Sequence, residues 1–154
     1  MSRRTMIVAG QYAVNLPGFD SLSEAEGSLF AYRDAAFVEL LSVSEFQCAL
    51  DYTPESLKLL EQWFFASGEP VALASGYSSA HAIGFYLGEI YRRHAGFKWV
   101  VQEFVFSPGH YEIGVSRGLI SVMLTKGRLP KAAGNKQRQS LWREFRKYAG
   151  GAQG

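Results

Sequence analysis

Few residues in this chain have the chemistry for catalysis. His81, His94 and His110 are its three histidines and Cys48 its one cysteine. A cysteine paired with an imidazole can make a thiolate nucleophile. No local signature accompanies Cys48, and a lone cysteine in an apolar context reads as core. His81 and Glu89 are eight residues apart, too far for the i, i+4 spacing with which one helix face presents two metal ligands. There is no H-E-x-x-H and no cysteine pair for zinc. The chain lacks G-x-x-x-x-G-K-[ST], Gly84 and Gly88 do not follow a strand as a dinucleotide fingerprint requires, and Ser75-Gly76-Tyr77-Ser78 is not a nucleophile elbow. The expectation is therefore no enzyme, no catalytic residue, no metal and no cofactor.

The carboxylates offer more. Glu89 precedes Arg92 and Arg93 at i+3 and i+4, so it is expected to pair with them or to hold its helix to a sheet. The competing reading is a buried acid facing a groove, acting as general acid or base. Glu103 and Glu112 are expected opposite each other on neighbouring strands, facing solvent. Charge is divided along the 154 residues: 20–69 carry ten acids against Arg33 and Lys58, whereas 126–154 carry eight bases against Glu144, within a net charge of +2. Either the basic C-terminus folds back on the acidic half, or one of the two faces a partner. A net charge near zero is a poor electrostatic footprint for nucleic acid.

The elements that must position these residues follow from local signals. A short strand is expected at 5–9 and a turn at Asn15-Leu16-Pro17-Gly18. Ser21 or Ser23, with Glu24 or Glu26 three residues on, reads as a capping box. The helix it opens runs to about Ser44, burying Leu29, Tyr32, Ala36, Leu40 and Val43, with a strand through Phe37-Val38 and Val43 as the competing reading. Thr53 and Pro54 are an N-cap and first helical residue. Leu57, Leu60, Phe64 and Trp63 form the next stripe, and Ser67-Gly68-Glu69-Pro70 stops it. Ser78 or Ser79 opens a third helix, ended by Gly96, with Ile83, Tyr86, Leu87, Ile90 and Tyr91 on one buried face. Gly84 and Gly88 share a stripe where another backbone can approach closely. Strands are predicted at Phe97–Phe106, Tyr111–Val115 and Leu119–Leu124, with a turn at Arg117-Gly118. Gln137–Tyr148 is a basic amphipathic helix whose Leu141, Phe145 and Tyr148 are expected to dock on the sheet.

Helices first, then a meander, then a helix predict an α+β fold. N-terminal helices would pack on a C-terminal antiparallel sheet of about three strands, followed by the basic helix. Residues 1–149 are expected to form one domain, and 150–154 a frayed tail. Met1-Ser2-Arg3-Arg4 resembles a signal-peptide start, but Met6-Ile7-Val8-Ala9 is too short an apolar region to follow it. No apolar run reaches the roughly 18 residues of a membrane span. With the single cysteine, these features predict a cytoplasmic protein.

Leu50-Asp51-Tyr52-Thr53-Pro54-Glu55-Ser56-Leu57, then Gly84-Phe85-Tyr86-Leu87-Gly88-Glu89 and Trp99, resembles a group of small bacterial α+β domains of unknown function. Some lie near polymorphic-toxin and secretion-system genes as immunity proteins. The resemblance covers about residues 50–125 and implies scaffold roles for Pro54, Gly84, Tyr86, Gly88, Glu89 and Trp99. The expected function is non-enzymatic protein binding, as an immunity-type inhibitor that occludes a bacterial toxin. Asp20, Glu24, Glu26, Asp34, Glu39 and Glu45 would face a basic toxin. The alternative is a nucleic-acid-associated module using the basic C-terminal segment, where aromatics interleave with bases.

Overall fold

Residues 16–42, 50–66, 79–130 and 139–151 are described in a computed structural model. The strand expected at 5–9, Val43, Glu45, Cys48, the stop signal at 67–70, Ser78, Lys136, Gln137 and Arg138 lie outside them. Ser21, not Ser23, caps the first helix: its Oγ accepts the Glu24 N–H at 3.1 Å, satisfying a donor that helix geometry leaves open. Helix α1 (Leu22–Ser42) then buries Ala25, Leu29, Ala36 and Leu40, one stripe at spacings of four and seven.

Helix α2 (Ser56–Ala66) starts with a tightened turn. The amides of Ser56, Leu57 and Lys58 bond to the carbonyls of Thr53, Pro54 and Glu55, three residues back. The expected side-chain cap from Thr53 does not form. The Thr53 hydroxyl donates to Asp51 Oδ1 at 2.6 Å, and its N–H donates to the same oxygen at 3.1 Å. These bonds hold the Asp51 carboxyl below its ordinary range.

Helix α3 (Ser79–Ala95) is the centre of the molecule. One buried face was the expectation, yet every residue from Ala82 to Tyr91 is buried. Two glycines let neighbouring elements close over it. A Cβ on Gly84 would lie 2.9 Å from the Arg128 amide nitrogen, and one on Gly88 would lie 2.5 Å from the Trp99 ring and 2.7 Å from Leu124. Gly84 thus admits a neighbouring backbone, as its spacing suggested, while Gly88 admits side chains instead. Gly96, at φ 75°, ends the helix in the left-handed region.

Strands β1 (Lys98–Glu103), β2 (Tyr111–Arg117) and β3 (Ile120–Met123) form an antiparallel meander in the order β1-β2-β3. Arg117 pairs with Ile120, so the second turn is Gly118-Leu119 and Arg117 belongs to the strand. β1 stops three residues earlier than predicted, because Phe104 to His110 fold into a turn of their own. The register pairs Gln102 with Glu112 and Glu103 with Tyr111. Glu103 and Glu112 are therefore not opposite each other, and Glu112 is buried in the central strand rather than solvent-facing.

Helix α4 (Ser140–Gly151) continues two residues into the stretch expected to fray. It docks on α2 and α3 rather than on the sheet. Leu141 and Phe145 enter the core, and the Phe145 ring meets Tyr91 at 5.2 Å. One cluster of buried side chains runs through all four helices and the sheet. The architecture is α+β, with the N-terminal helices and the final helix enclosing α3 and the meander beside it.

Candidate functional site

The turn between β1 and β2 is tied at several points. The Phe104 N–H donates to the His110 carbonyl at 2.8 Å and the Ser107 N–H to the Phe104 carbonyl at 3.0 Å. The Gly109 N–H donates to Glu103 Oε2 at 2.8 Å, and Ser107 Oγ lies 2.8 Å from His110 Nδ1. A strap from the N-terminal side joins in. The Phe19 N–H donates to the Gly109 carbonyl at 2.9 Å, and the Tyr111 N–H to the Pro17 carbonyl at 3.0 Å. On this frame Val105 is 78% exposed and Phe106 48% exposed.

Asp20 follows the strap directly, and Glu24 is in the first turn of α1. The Tyr111 phenol is pushed up by burial and by the negative charges of Glu103, Asp20 and Glu24. Three carboxylates therefore share the neighbourhood of the Tyr111 phenol, where the turn enters β2. The other acids expected on that surface scatter. Glu26 and Glu39 are half-buried, Asp34 is exposed and bonded to Arg33 at 2.9 Å. At about 100° per residue, the acids of α1 fan around more than half of its circumference rather than forming one face. The exposed Val105 and Phe106 were hidden in the sequence inside a run that reads as strand.

Glu89 has become scaffold. Arg92 donates to it through Nε and Nη2, each at 2.8 Å, and Arg93 Nε donates at 2.9 Å. Trp99 Nε1 donates from β1 at 3.0 Å. Both alternatives that the spacing offered are thus realised together: the ion pair and the helix-to-sheet tie. Burial alone would raise the Glu89 carboxyl, but the bonds from Arg92, Trp99 and Arg93 outweigh it and hold the group at about 2.

Tyr86 is the second scaffold residue. Ser56 Oγ donates to the Thr53 carbonyl at 2.6 Å, so the Tyr86 hydroxyl, 2.6 Å from Ser56 Oγ, is the donor in that pair. The same hydroxyl accepts the Tyr52 N–H at 2.9 Å. Tyr52 sits at φ 62°, a costly conformation for a residue with a Cβ. It is held there by its ring stacked 5.0 Å from Tyr86, by Arg93 4.0 Å above that ring, and by His94 Nε2 donating to its carbonyl at 2.8 Å. Pro54 lies in the turn that this network fixes.

Glu61, which no motif marked, is buried and caps α4. It accepts the Ser140 and Leu141 N–H groups, each at 3.1 Å, and the Ser140 hydroxyl at 2.7 Å. The C-terminal segment does fold back on the acidic half, through this cap and apolar contacts. The ion pair of Arg128 with Glu144, at 3.4 Å, lies within the C-terminal stretch itself. Of the aromatics considered for nucleotide stacking, Phe145 is buried and Tyr148 half-buried. The Trp142 ring has Lys58 at 4.4 Å and Arg146 at 5.3 Å.

A cavity of about 330 Å³ opens between α1, α3 and β2. Phe19, Leu29, Phe85 and Ile113 give it apolar walls, with Tyr32 and His81 among the polar ones. The Tyr32 hydroxyl lies 3.2 Å from His81 Nδ1. Burial lowers the affinity of His81 for a proton, partly opposed by a hydrogen bond to the Thr125 backbone. Among the described residues, no three or more His, Cys, Asp or Glu come together as a metal site. None of their helices is long and apolar enough to cross a membrane.

Residues 18–149 match the family described as "Uncharacterised protein YwmA". The protein of Bacillus subtilis (strain 168) described as "Uncharacterized protein YwmA" is 33% identical over 113 residues, covering 70% of this chain and 72% of its own length. No solved structure matches. The matched span takes in every described element from α1 to the body of α4, so this chain belongs to the YwmA family, a group of small bacterial proteins.

Proposed function

We propose that this chain is a cytoplasmic, stoichiometric protein-binding protein that docks through the β1–β2 turn. The observation that carries this reading is the exposure of Val105 and Phe106 on a turn bonded to Glu103, with Asp20 and Glu24 near the Tyr111 phenol that follows it. A fixed aromatic and aliphatic tip gives up little conformational entropy on binding, and such anchors carry much of the energy of protein interfaces. The carboxylates beside it favour a partner whose pocket is rimmed by Lys and Arg, and they raise the rate of encounter with it. A bacterial toxin with a basic active-site face is a partner of this chemistry, and occluding that face would neutralise it without turnover.

The test is affinity capture from the native host, comparing the wild-type chain with Val105→Asp and with Asp20→Lys/Glu24→Lys. The expected result is a basic protein retained by wild type and lost from the Val105→Asp sample. With that partner purified, the charge-reversed variant should associate at least tenfold more slowly at low salt, and the difference should shrink as salt rises. Identical protein sets on all three baits would overturn the reading. A second reading, binding to nucleic acid, is favoured by exposed Arg143, Arg146 and Lys147 on α4. Electrophoretic shifts whose affinity falls steeply with salt and is lost when those three are replaced would support it instead.

A further inference from the structure

We propose that the β1–β2 turn docks on the seam between α2 and α4 of a second copy of this chain. The contact rests on the reading of that turn as a docking surface and gives it a partner. The charge division of the sequence ends in two outer faces. Asp20 and Glu24 are exposed at the start of α1, and Glu103 is exposed where β1 runs into the turn. The N–H of Phe19, the neighbour of Asp20, donates to the Gly109 carbonyl, and Glu103 accepts the Gly109 N–H. Asp20 and Glu103 are thus tied to the turn that exposes Val105 and Phe106.

The second face is on α4. The C-terminal helix docks through the Glu61 cap and the side chains of Leu141 and Phe145. That contact leaves Arg143, Arg146 and Lys147 exposed. Spacings of three and four put the three bases on one side of the helix. The helix is held at both ends, by Glu61 at Ser140 and by Arg117, whose Nη2 donates to the Ala149 carbonyl at 3.4 Å. Beside the bases, the half-buried Trp142 ring has Lys58 of α2 at 4.4 Å and Arg146 at 5.3 Å. Phe65, 40% exposed, shares a stripe of α2 with Lys58 and Glu61, the residues that α2 turns toward α4. Glu55 brings an acid to the seam, bonded to Lys58 at 2.9 Å. The Lys58 bond and, more weakly, the charge of Arg146 hold the Glu55 carboxyl below its ordinary range.

The two faces match in shape and charge. One is a projecting turn with an aliphatic and an aromatic side chain and carboxylates tied to it. The other is a seam between two helices with an indole at its edge and cations fixed along one side. Opposite charge steers the encounter and fixes its orientation. Val105 and Phe106 against the Trp142 edge supply the apolar contact that anchors an interface. A net charge of +2 on each copy sets up little repulsion between them. Because the faces differ, the contact is head-to-tail: each copy offers its turn to one neighbour and its seam to another. The turn is small, which puts the contact in the weak, transient class. A copy held this way keeps its turn covered until a tighter partner displaces it.

The experiment follows the full chain by sedimentation velocity at about 20 mM salt, where screening is weak, and at protein concentrations up to about 1 mM. The expected mass rises with concentration and falls back toward the monomer as salt is added. Val105→Asp spoils the turn, and Arg143→Glu/Arg146→Glu reverses the seam. Each variant alone should associate roughly tenfold or more weakly than wild type. Both changes are at exposed positions, and unchanged circular dichroism checks the fold of each. Mixed in equal amounts, the two variants should form a 1:1 dimer that grows no further, because one supplies the intact seam and the other the intact turn. A mixture that fails to dimerise would overturn the proposal, as would wild type that stays monomeric throughout. Association that survives undiminished in both variants would put the contact elsewhere on the molecule and overturn it too. If wild type is monomeric but Val105→Asp loses a protein captured from the host, the turn docks on that protein and not on a second copy. If Val105→Asp alters neither self-association nor capture, the turn is not a docking surface at all.

Discussion

At the scale of single residues, the acids divide into those the fold consumes and those it leaves outside. Glu89 is the clearest of the first kind. Its carboxylate, held at about 2 against an ordinary 4.5, contributes on the order of 3 kcal/mol to stability. The sign follows from the direction. A lowered folded-state value means that the contribution is present in full above pH 4.5 and disappears as pH falls through 2. Glu89→Gln should therefore lose about 2–4 kcal/mol in urea unfolding at pH 7. It should also flatten the loss of stability expected of wild type between pH 5 and pH 2. An unchanged acid slope in the variant would mean that the carboxylate is not the group responsible. Its i+3 and i+4 arginines were visible in the sequence because they lie on one helix. Trp99 and the burial of Glu112 were not, since both depend on which strand meets which helix. Tyr32 and His81 are 49 residues apart, and no spacing rule links them.

At the scale of elements, what was legible is what local chemistry dictates. Ser21 and Glu24 announce the start of α1, Pro54 and Glu55 the entry to α2, and Gly96 the end of α3. The apolar spacing of α4 correctly gave its inner face but not the surface it meets. β1 was read too long because Phe104 and Phe106 suit a strand, and only the bonds from Gly109 and His110 reveal the turn. The glycines provide a quantitative check on packing. Alanine in place of glycine raises intrinsic helix stability by up to about 1 kcal/mol. Gly27, with nothing within 4 Å of an added Cβ, should show that gain as a higher melting temperature. Gly84→Ala and Gly88→Ala should reverse the sign and cost about 1–3 kcal/mol, because the added methyl meets the Arg128 backbone in one case and Trp99 with Leu124 in the other. Gains at all three positions in thermal melts would contradict the close approach of these elements to α3.

At the scale of the whole molecule, every element contributes to one buried cluster around α3. Its three tryptophans report on different parts of that cluster: Trp63 on α2, Trp99 on β1 and Trp142 on α4. Urea unfolding followed by tryptophan fluorescence and by far-ultraviolet circular dichroism should therefore give one coincident transition. Separated midpoints would divide the helices from the sheet. The contact between Glu61 and the start of α4 ties this unity to the order in which the chain is made. The donors that Glu61 needs are 79 and 80 residues further on. Until those residues have been made, α2 carries a hydrated carboxylate on what will become an interior surface. The newborn polypeptide thus seals this interior only once α4 has emerged, and a premature stop before residue 140 would leave a charged, unsealed side for quality-control proteases to find.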